Sequence, residues 1–194
     1  MRYASIDIGT NTLRLLIAEL DNDGLRPVIY KRKITRLGGG YDEVSGISRE
    51  AAERTFAALK EFRRHIDDAG VSTVLAFATS VVRRAKNSAW FTGEVRKKTG
   101  IEVTVIHGNE EARLSLQGVL SVIDERQGKK LVIDVGGGST EFIATIGPEM
   151  VGGWSMEMGV VHLTEKYLNS DPPSASELKE MESEIKGVLD ALMS

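Results

Sequence analysis

The sequence predicts an α/β fold: a mixed five-stranded sheet covered by helices, followed by a partial second copy. Three observations lead there. The first 34 residues read as three short strands joined by tight turns, which is an antiparallel meander. Helical and strand patterns then alternate up to about residue 120, as they do when strands add to a sheet through helical crossovers. Finally, the run LVIDVGGGSTEFI, from Leu131 to Ile143, repeats the grammar of the N-terminal ASIDIGTNTLRLLI, with Ile133-Asp134-Val135-Gly136 in register with Ile6-Asp7-Ile8-Gly9.

In order, the meander strands run from Tyr3 to Ile8, Leu13 to Leu20 and Leu25 to Ile34, the second turn being Asp21-Asn22-Asp23-Gly24. Arg36-Leu37-Gly38-Gly39-Gly40 leaves the sheet. Ser48 caps a helix whose apolar residues Ala52, Phe56, Leu59, Phe62 and Ile66 recur at helical spacing, and Gly70 closes it. An apolar strand from Val74 to Ala78 reads as buried and ends at Thr79-Ser80, with Arg83, Arg84 and Lys86 just beyond. A short helix over Ser88 to Lys98, a strand over Glu102 to Ile106 and a helix from Glu110 to about Leu120 follow.

After Gly128 the pattern restarts. Strands are expected near Leu131 to Val135, Glu141 to Ile146 and Val151 to Met158, the first of them buried, with a helix over Val160 to Tyr167. Asp171-Pro172-Pro173 breaks the chain, and Ser174 with Glu177 forms a capping box for a last helix striped by Leu178, Met181, Ile185, Val188, Leu189 and Leu192. The stripe is core or partner surface, core being the better fit. Only about half of a second copy follows Asp134, so the chain divides into a first lobe, 1–125, and an incomplete second lobe, 126–194, abbreviated or cut from a longer chain.

At 194 residues the chain is long enough to bury a sizeable core. Its 27% charged and 41% apolar residues suit a soluble globular protein. The formal charge of −3 argues against a general binder of nucleic-acid duplexes, so an anion site must be locally basic. With no cysteine, disulfides, thiolate zinc sites and a cysteine nucleophile are excluded, which fits a reducing compartment. No secretory signal opens the chain and no apolar run approaches the ~18 residues of a membrane span, so a cytoplasmic location without a membrane partner is expected. Oligomeric state stays open, a homodimer included.

The chemistry concentrates in the two repeated turns. Gly136, Gly137 and Gly138 remove every Cβ, so the N–H groups of the turn can converge on an anion as a nest, and Ser139 and Thr140 add hydroxyl donors. Asp134 and Glu141 stand at its two ends, where oxygen ligands suit a hydrated divalent cation. Two such hairpins suggest a phosphate site between the copies. Glu110 and Glu111 lie at a helix start behind Asn109, an arrangement that an N-cap and helix dipole favour by themselves. Facing phosphates, a carboxylate there would serve as general base toward water. Adjacent helix residues point about 100° apart, so one of the two at most serves. Arg83 and Arg84 offer forked donors for phosphate oxygens, while Arg14 and Lys31-Arg32-Lys33 are weaker candidates. His65, His107 and His162 are isolated and read as structural, and no Gly-x-Ser-x-Gly elbow, Walker A loop or Gly-x-Gly-x-x-Gly fingerprint is present.

These residues resemble the exopolyphosphatase and guanosine pentaphosphate phosphohydrolase (Ppx/GppA) family of the actin-like ATPase superfamily. IDIGTNTLRLLI resembles its first phosphate loop, ATSVVRRAKN its arginine segment, GNEEARLSLQGV its catalytic helix and IDVGGGSTEFI its second loop. MGVVHLTEKYLNSDPPS is similar to the segment that opens the second lobe. The resemblance implies a ribonuclease H-like (actin-like ATPase) fold. It implies Glu111 as the base, Asp134 and Glu141 as ligands or orienters of Mg2+ or another divalent cation with Asp7 contributing, Gly9, Asn11, Thr12, Gly137, Gly138 and Ser139 as the phosphate cradle, and Arg83 as a clamp on the charged chain. The choice of Glu111 over Glu110 comes from the resemblance alone.

Two departures stand out. His162 occupies a position where the family usually carries arginine, and family members continue well beyond this length to close the cleft. The function implied is a metal-dependent phosphohydrolase that releases terminal phosphate from inorganic polyphosphate or guanosine pentaphosphate. The alternatives are a polyphosphate- or nucleotide-binding module without turnover and a kinase or ATPase of the same superfamily.

Overall fold

The computed structural model describes residues 1–22, 24–124 and 127–193. Asp23 of the expected Asp21–Gly24 turn lies outside the described residues. The chain forms two compact units, Met1–His107 and Gly108–Ser194.

In the first unit, β1 (Arg2–Ile8), β2 (Thr12–Asp21) and β3 (Gly24–Ile34) make the expected meander, and β4 (Thr73–Ala78) and β5 (Thr104–Val105) add in parallel to give the order β3-β2-β1-β4-β5. Alternation decides the faces. Ile6 and Ile8 of β1 and Leu13, Leu15 and Ile17 of β2 are fully buried, whereas Asp7 and Arg14 point the other way.

Helix α1 (Arg49–Asp68) is capped by Ser48, whose side chain accepts from Ala51 N, and packs Ala52, Phe56, Leu59, Phe62 and Ile66 into that core. Gly70 follows with φ +60°, a left-handed conformation that glycine adopts without strain. Beyond β4 stand α2 (Ser80–Arg84) and α3 (Ser88–Thr99), closed by Gly100 at φ 69°.

Three details differ from the sequence reading. A helical turn, α2, carries Arg83 and Arg84 where only a strand end was expected. The expected strand over Glu102 to Ile106 shrinks to two residues, because only Phe77 and Ala78 of β4 pair with it. β4 is not fully buried: Leu75 is 51% exposed, since it lies on the sheet face shared by Asp7 and Arg14.

The second unit begins with α4 (Gly108–Val122) and continues with β6 (Lys129–Val135), β7 (Thr140–Ile146) and β8 (Glu149–Met156) in the antiparallel order β6-β7-β8. α4 lies on this sheet, burying Ala112 and Leu116 against Ile143 with Val132 and Met150 alongside. That packing makes α4 part of the second compact unit. The other face of β7 packs Phe142 with Met158 of the β8–α5 connection, Leu163 of α5 (Val160–Tyr167) and the stripe Met181, Ile185, Val188, Leu189 and Leu192 of α6 (Ala175–Met193).

The capping box at α6 is complete. Ser174 N donates to Glu177 Oε2 at 2.7 Å and Glu177 N donates to Ser174 Oγ at 3.3 Å. β6, expected to be buried, is an edge strand with Leu131, Ile133 and Val135 at 60%, 51% and 59% exposure, because α4 covers only the face of Val132. Asn109 also misses the N-cap, since the helix already begins at Gly108.

Candidate active site

The two repeated turns have the same backbone build. Gly9 N donates to Thr12 O at 3.1 Å in the first, and Gly136 N donates to Ser139 O at 2.9 Å in the second. A Cβ on Gly9 would lie 3.0 Å from Thr12 O, and one on Gly136 would lie 2.9 Å from Ser139 O. Glycine is therefore set by close approach. None of Gly136, Gly137 and Gly138 takes a positive φ, so left-handed backbone is not the reason for the run.

Around the first loop, Asn11 O accepts from Thr35 N and Arg36 N, each at 3.0 Å, and Gly38 N donates to Thr10 O at 2.8 Å. Thr12 is buried in the strand start. Asp7 accepts from Arg14 Nη1 at 2.6 Å across the β1–β2 pair. Arg83 reaches from α2 to Ile106 O at 2.9 Å, which holds the half-buried guanidinium at the end of β5.

The second loop is fixed from behind by α5. Val160 N donates to Gly136 O at 3.0 Å, and Val161 N and His162 N donate to Gly137 O at 2.9 and 3.1 Å. Three N–H groups of the α5 start, which a helix leaves without internal partners, are thus satisfied by the loop carbonyls. A Cβ on Gly159 would come within 2.3 Å of Gly137 C, so the contact needs glycine. With Gly136 O and Gly137 O so engaged, no described residue accepts from the N–H of Gly137 or Gly138. Gly138 and Ser139 are buried and Gly137 is half-buried.

The carboxylates of this loop each carry a serine. Asp134 and Glu141 are direct cross-strand partners on β6 and β7. Asp134 Oδ2 accepts from Ser115 Oγ of α4 at 2.6 Å, and Glu141, only 1% exposed, accepts on Oε1 from Ser155 Oγ of β8 at 2.8 Å. A Cβ on Gly108 would meet Ser155 Cβ at 2.5 Å, so α4 starts directly on the residue that holds Glu141. Gly108, Glu111 and Ser115 follow the i, i+3, i+7 spacing of one helix face, which places Glu111 about one turn (~6 Å of rise) from the serine bound to Asp134.

Glu110 takes a different course. It forms a two-pronged ion pair with Arg113 at 2.6 and 2.8 Å, and that guanidinium lowers its pKa. Ser115 and Ser155 were not singled out in the sequence. The spacing of Glu111 and Ser115 carries the signal, but it acquires meaning only once α4 is known to lie on the second sheet.

Among the described residues no group of three His, Cys, Asp or Glu side chains gathers to hold a metal ion. Asp134 and Glu141 offer carboxylate oxygens from one face of neighbouring strands, the donor type that a hard cation such as Mg2+ takes. No described helix is long and apolar enough to cross a membrane.

The sequence profile of the Ppx/GppA phosphatase family matches residues 16–194. The chain belongs to the Ppx/GppA phosphatase family. Exopolyphosphatase 1 of Mycobacterium tuberculosis (strain ATCC 25618 / H37Rv) is 33% identical over 174 residues, covering 89% of this chain and 51% of its own. The crystal structure of an exopolyphosphatase from Cytophaga hutchinsonii superposes with a TM-score of 0.93 at 33% identity, over 99% of this chain and 62% of that one. The Aquifex aeolicus PPX-GPPA enzyme gives 0.79 at 35% identity, over 99% and 64%. This Ppx/GppA family member thus spans about half the length of the exopolyphosphatase relative. Its ribonuclease H-like, actin-like ATPase fold agrees with the strand order β3-β2-β1-β4-β5.

Proposed function

We propose that the chain is the part of a metal-dependent phosphohydrolase that carries its reactive carboxylates, acting on the terminal phosphate of inorganic polyphosphate or guanosine pentaphosphate. The reading rests on one observation: Gly108, Glu111 and Ser115 form a single stripe of α4, anchored at Ser155 and Asp134. Membership of a family with exopolyphosphatase relatives supports the substrate class.

In this reading Glu111 accepts a proton from water as the water oxygen attacks the terminal phosphorus. The anhydride bond to the rest of the chain breaks, and the leaving phosphate oxygen keeps the bonding pair. Asp134 and Glu141 would hold the divalent cation, which when bound neutralises phosphate oxygens. In the second unit Gly137, Gly138 and Ser139 would offer donors to non-bridging phosphate oxygens; in the first, the resemblance assigns Gly9, Asn11, Thr12 and the Arg83 guanidinium to phosphate. For Asp7, bonded to Arg14 within the first unit, the resemblance implies a contribution to cation binding. The cysteine-free composition accords with work in the cytoplasm.

Replacing Glu111 by alanine tests the assignment. Phosphate release from polyphosphate should fall by about 10²–10⁴-fold while polyphosphate binding persists. Wild-type turnover in that variant overturns the role of Glu111, and binding without release by the unaltered chain supports a binding module instead.

A further inference from the structure

The exposed face of the first sheet carries a row of charge of which the phosphohydrolase reading uses only Asp7. Asp7 of β1 is the register partner of Arg14 of β2, and Arg14 is the register partner of Arg32 of β3. Directly opposed residues on adjacent strands share a face, so Asp7, Arg14 and Arg32 form one line about 10 Å long. The neighbours confirm the sidedness: Lys33 lies on the opposite face, where its ammonium meets Glu61 of α1 at 2.9 Å.

The charges in this row do not balance. Asp7 is bonded to Arg14 at 2.6 Å, and no described carboxylate pairs with Arg32. Two arginines directly opposite each other on a sheet repel, so the pairing costs stability unless an anion joins them. The row also lies close to the first loop. Thr12, which closes that loop, pairs with Ile34, so Arg32 stands two residues along the strand, about 7 Å from the loop edge.

We propose that Arg32, with Arg14, grips a condensed-phosphate chain next to the phosphate held at the Gly9 loop, making Arg32 a determinant of chain-length preference. This rests on the polyphosphate reading. Its ligand is a linear polyanion with several phosphates, for which a forked guanidinium is the matching donor.

The test measures binding of fluorescently labelled long-chain polyphosphate and of pyrophosphate to the full chain, alongside phosphate release. Arg32→Gln should weaken long-chain binding about tenfold and lower the salt-dependence slope by about one, leaving pyrophosphate affinity within about twofold. Arg26→Gln, on the same strand but ion-paired with Glu19, should bind like the unaltered chain. Unchanged long-chain binding by Arg32→Gln overturns the proposal even if phosphate is released. Weakened long-chain binding upholds it even if no phosphate is released, an outcome that instead removes the turnover reading. An equal loss toward pyrophosphate, or a loss toward guanosine pentaphosphate alone, overturns the assignment to chain length.

Discussion

Ser115 and Asp134 meet at 2.6 Å, hydroxyl to carboxylate, and this bond ties α4 to the strand that leads into the glycine loop. A carboxylate held by a neighbouring donor keeps one orientation, and such supports tune metal affinity. Ser115→Ala should therefore weaken divalent-cation binding about tenfold, read by calorimetric titration with Mg2+ in the presence of a non-hydrolysable phosphate analogue. Unchanged affinity would mean that Asp134 does not hold the cation.

Glu141 is nearly inaccessible and leans on Ser155. Glu141→Gln keeps the shape and an acceptor, so the fold should survive while cation-dependent activity is lost. Glu141→Ala strands the Ser155 hydroxyl and opens a void, and should cost about 1–3 kcal/mol by denaturant titration. Equal stability for the two variants would contradict the buried bond.

Glu110 and Glu111 differ by one position and by partner. Because Glu111 shares the helix face of Ser115 and Glu110 does not, Glu110→Gln should leave phosphate release within about threefold, whereas Glu111→Gln should remove nearly all of it. A reversed pattern in initial-rate assays would move the base to Glu110.

Glu177 gives a pH signature. Ser170 Oγ first, then the backbone N–H groups of Ser174 and Asn169, stabilise its carboxylate and lower its pKa from 4.5 to about 2. A depressed folded pKa means stability that is fully present above 4.5 and is lost as pH falls toward 2. The melting-temperature gap between the unaltered chain and Glu177→Gln should be constant above that window and close within it, as followed by circular dichroism.

Two glycines separate close packing from open space. Gly159→Ala drives a Cβ into the Gly137 carbonyl and should lower stability by about 1–3 kcal/mol, whereas nothing stands within 4 Å of a Cβ on Gly118 in α4. Gly118→Ala should raise stability by about 1 kcal/mol through helix propensity. Thermal unfolding of both variants checks the contrast.

Much of this was legible in the sequence because local rules sufficed. Ser48 and the spacing of Phe56, Leu59, Phe62 and Ile66 define α1, and Ser174 with Glu177 defines the start of α6. The paired Asp-x-Gly turns named the loops. What was hidden depends on which sheet a helix chooses. Nothing in the residues 108–122 says that they pack on β7 and β8, so Ser115 and Ser155 stayed anonymous. For the same reason β6 read as buried: its Leu131, Ile133 and Val135 look like any core strand, and only the arrangement of neighbours shows otherwise.

That edge has a practical consequence. Ile6 and Ile8 of β1 are fully enclosed, while Ile133 and Val135, their counterparts in the repeat, face water at 51% and 59% on a strand with one rim that no described strand pairs. Such a rim acts as a template for any extended apolar peptide that drifts onto it. Concentrated solutions of this polypeptide should therefore scatter light, and a lysine at Ile133, by breaking the greasy run, should keep them clear.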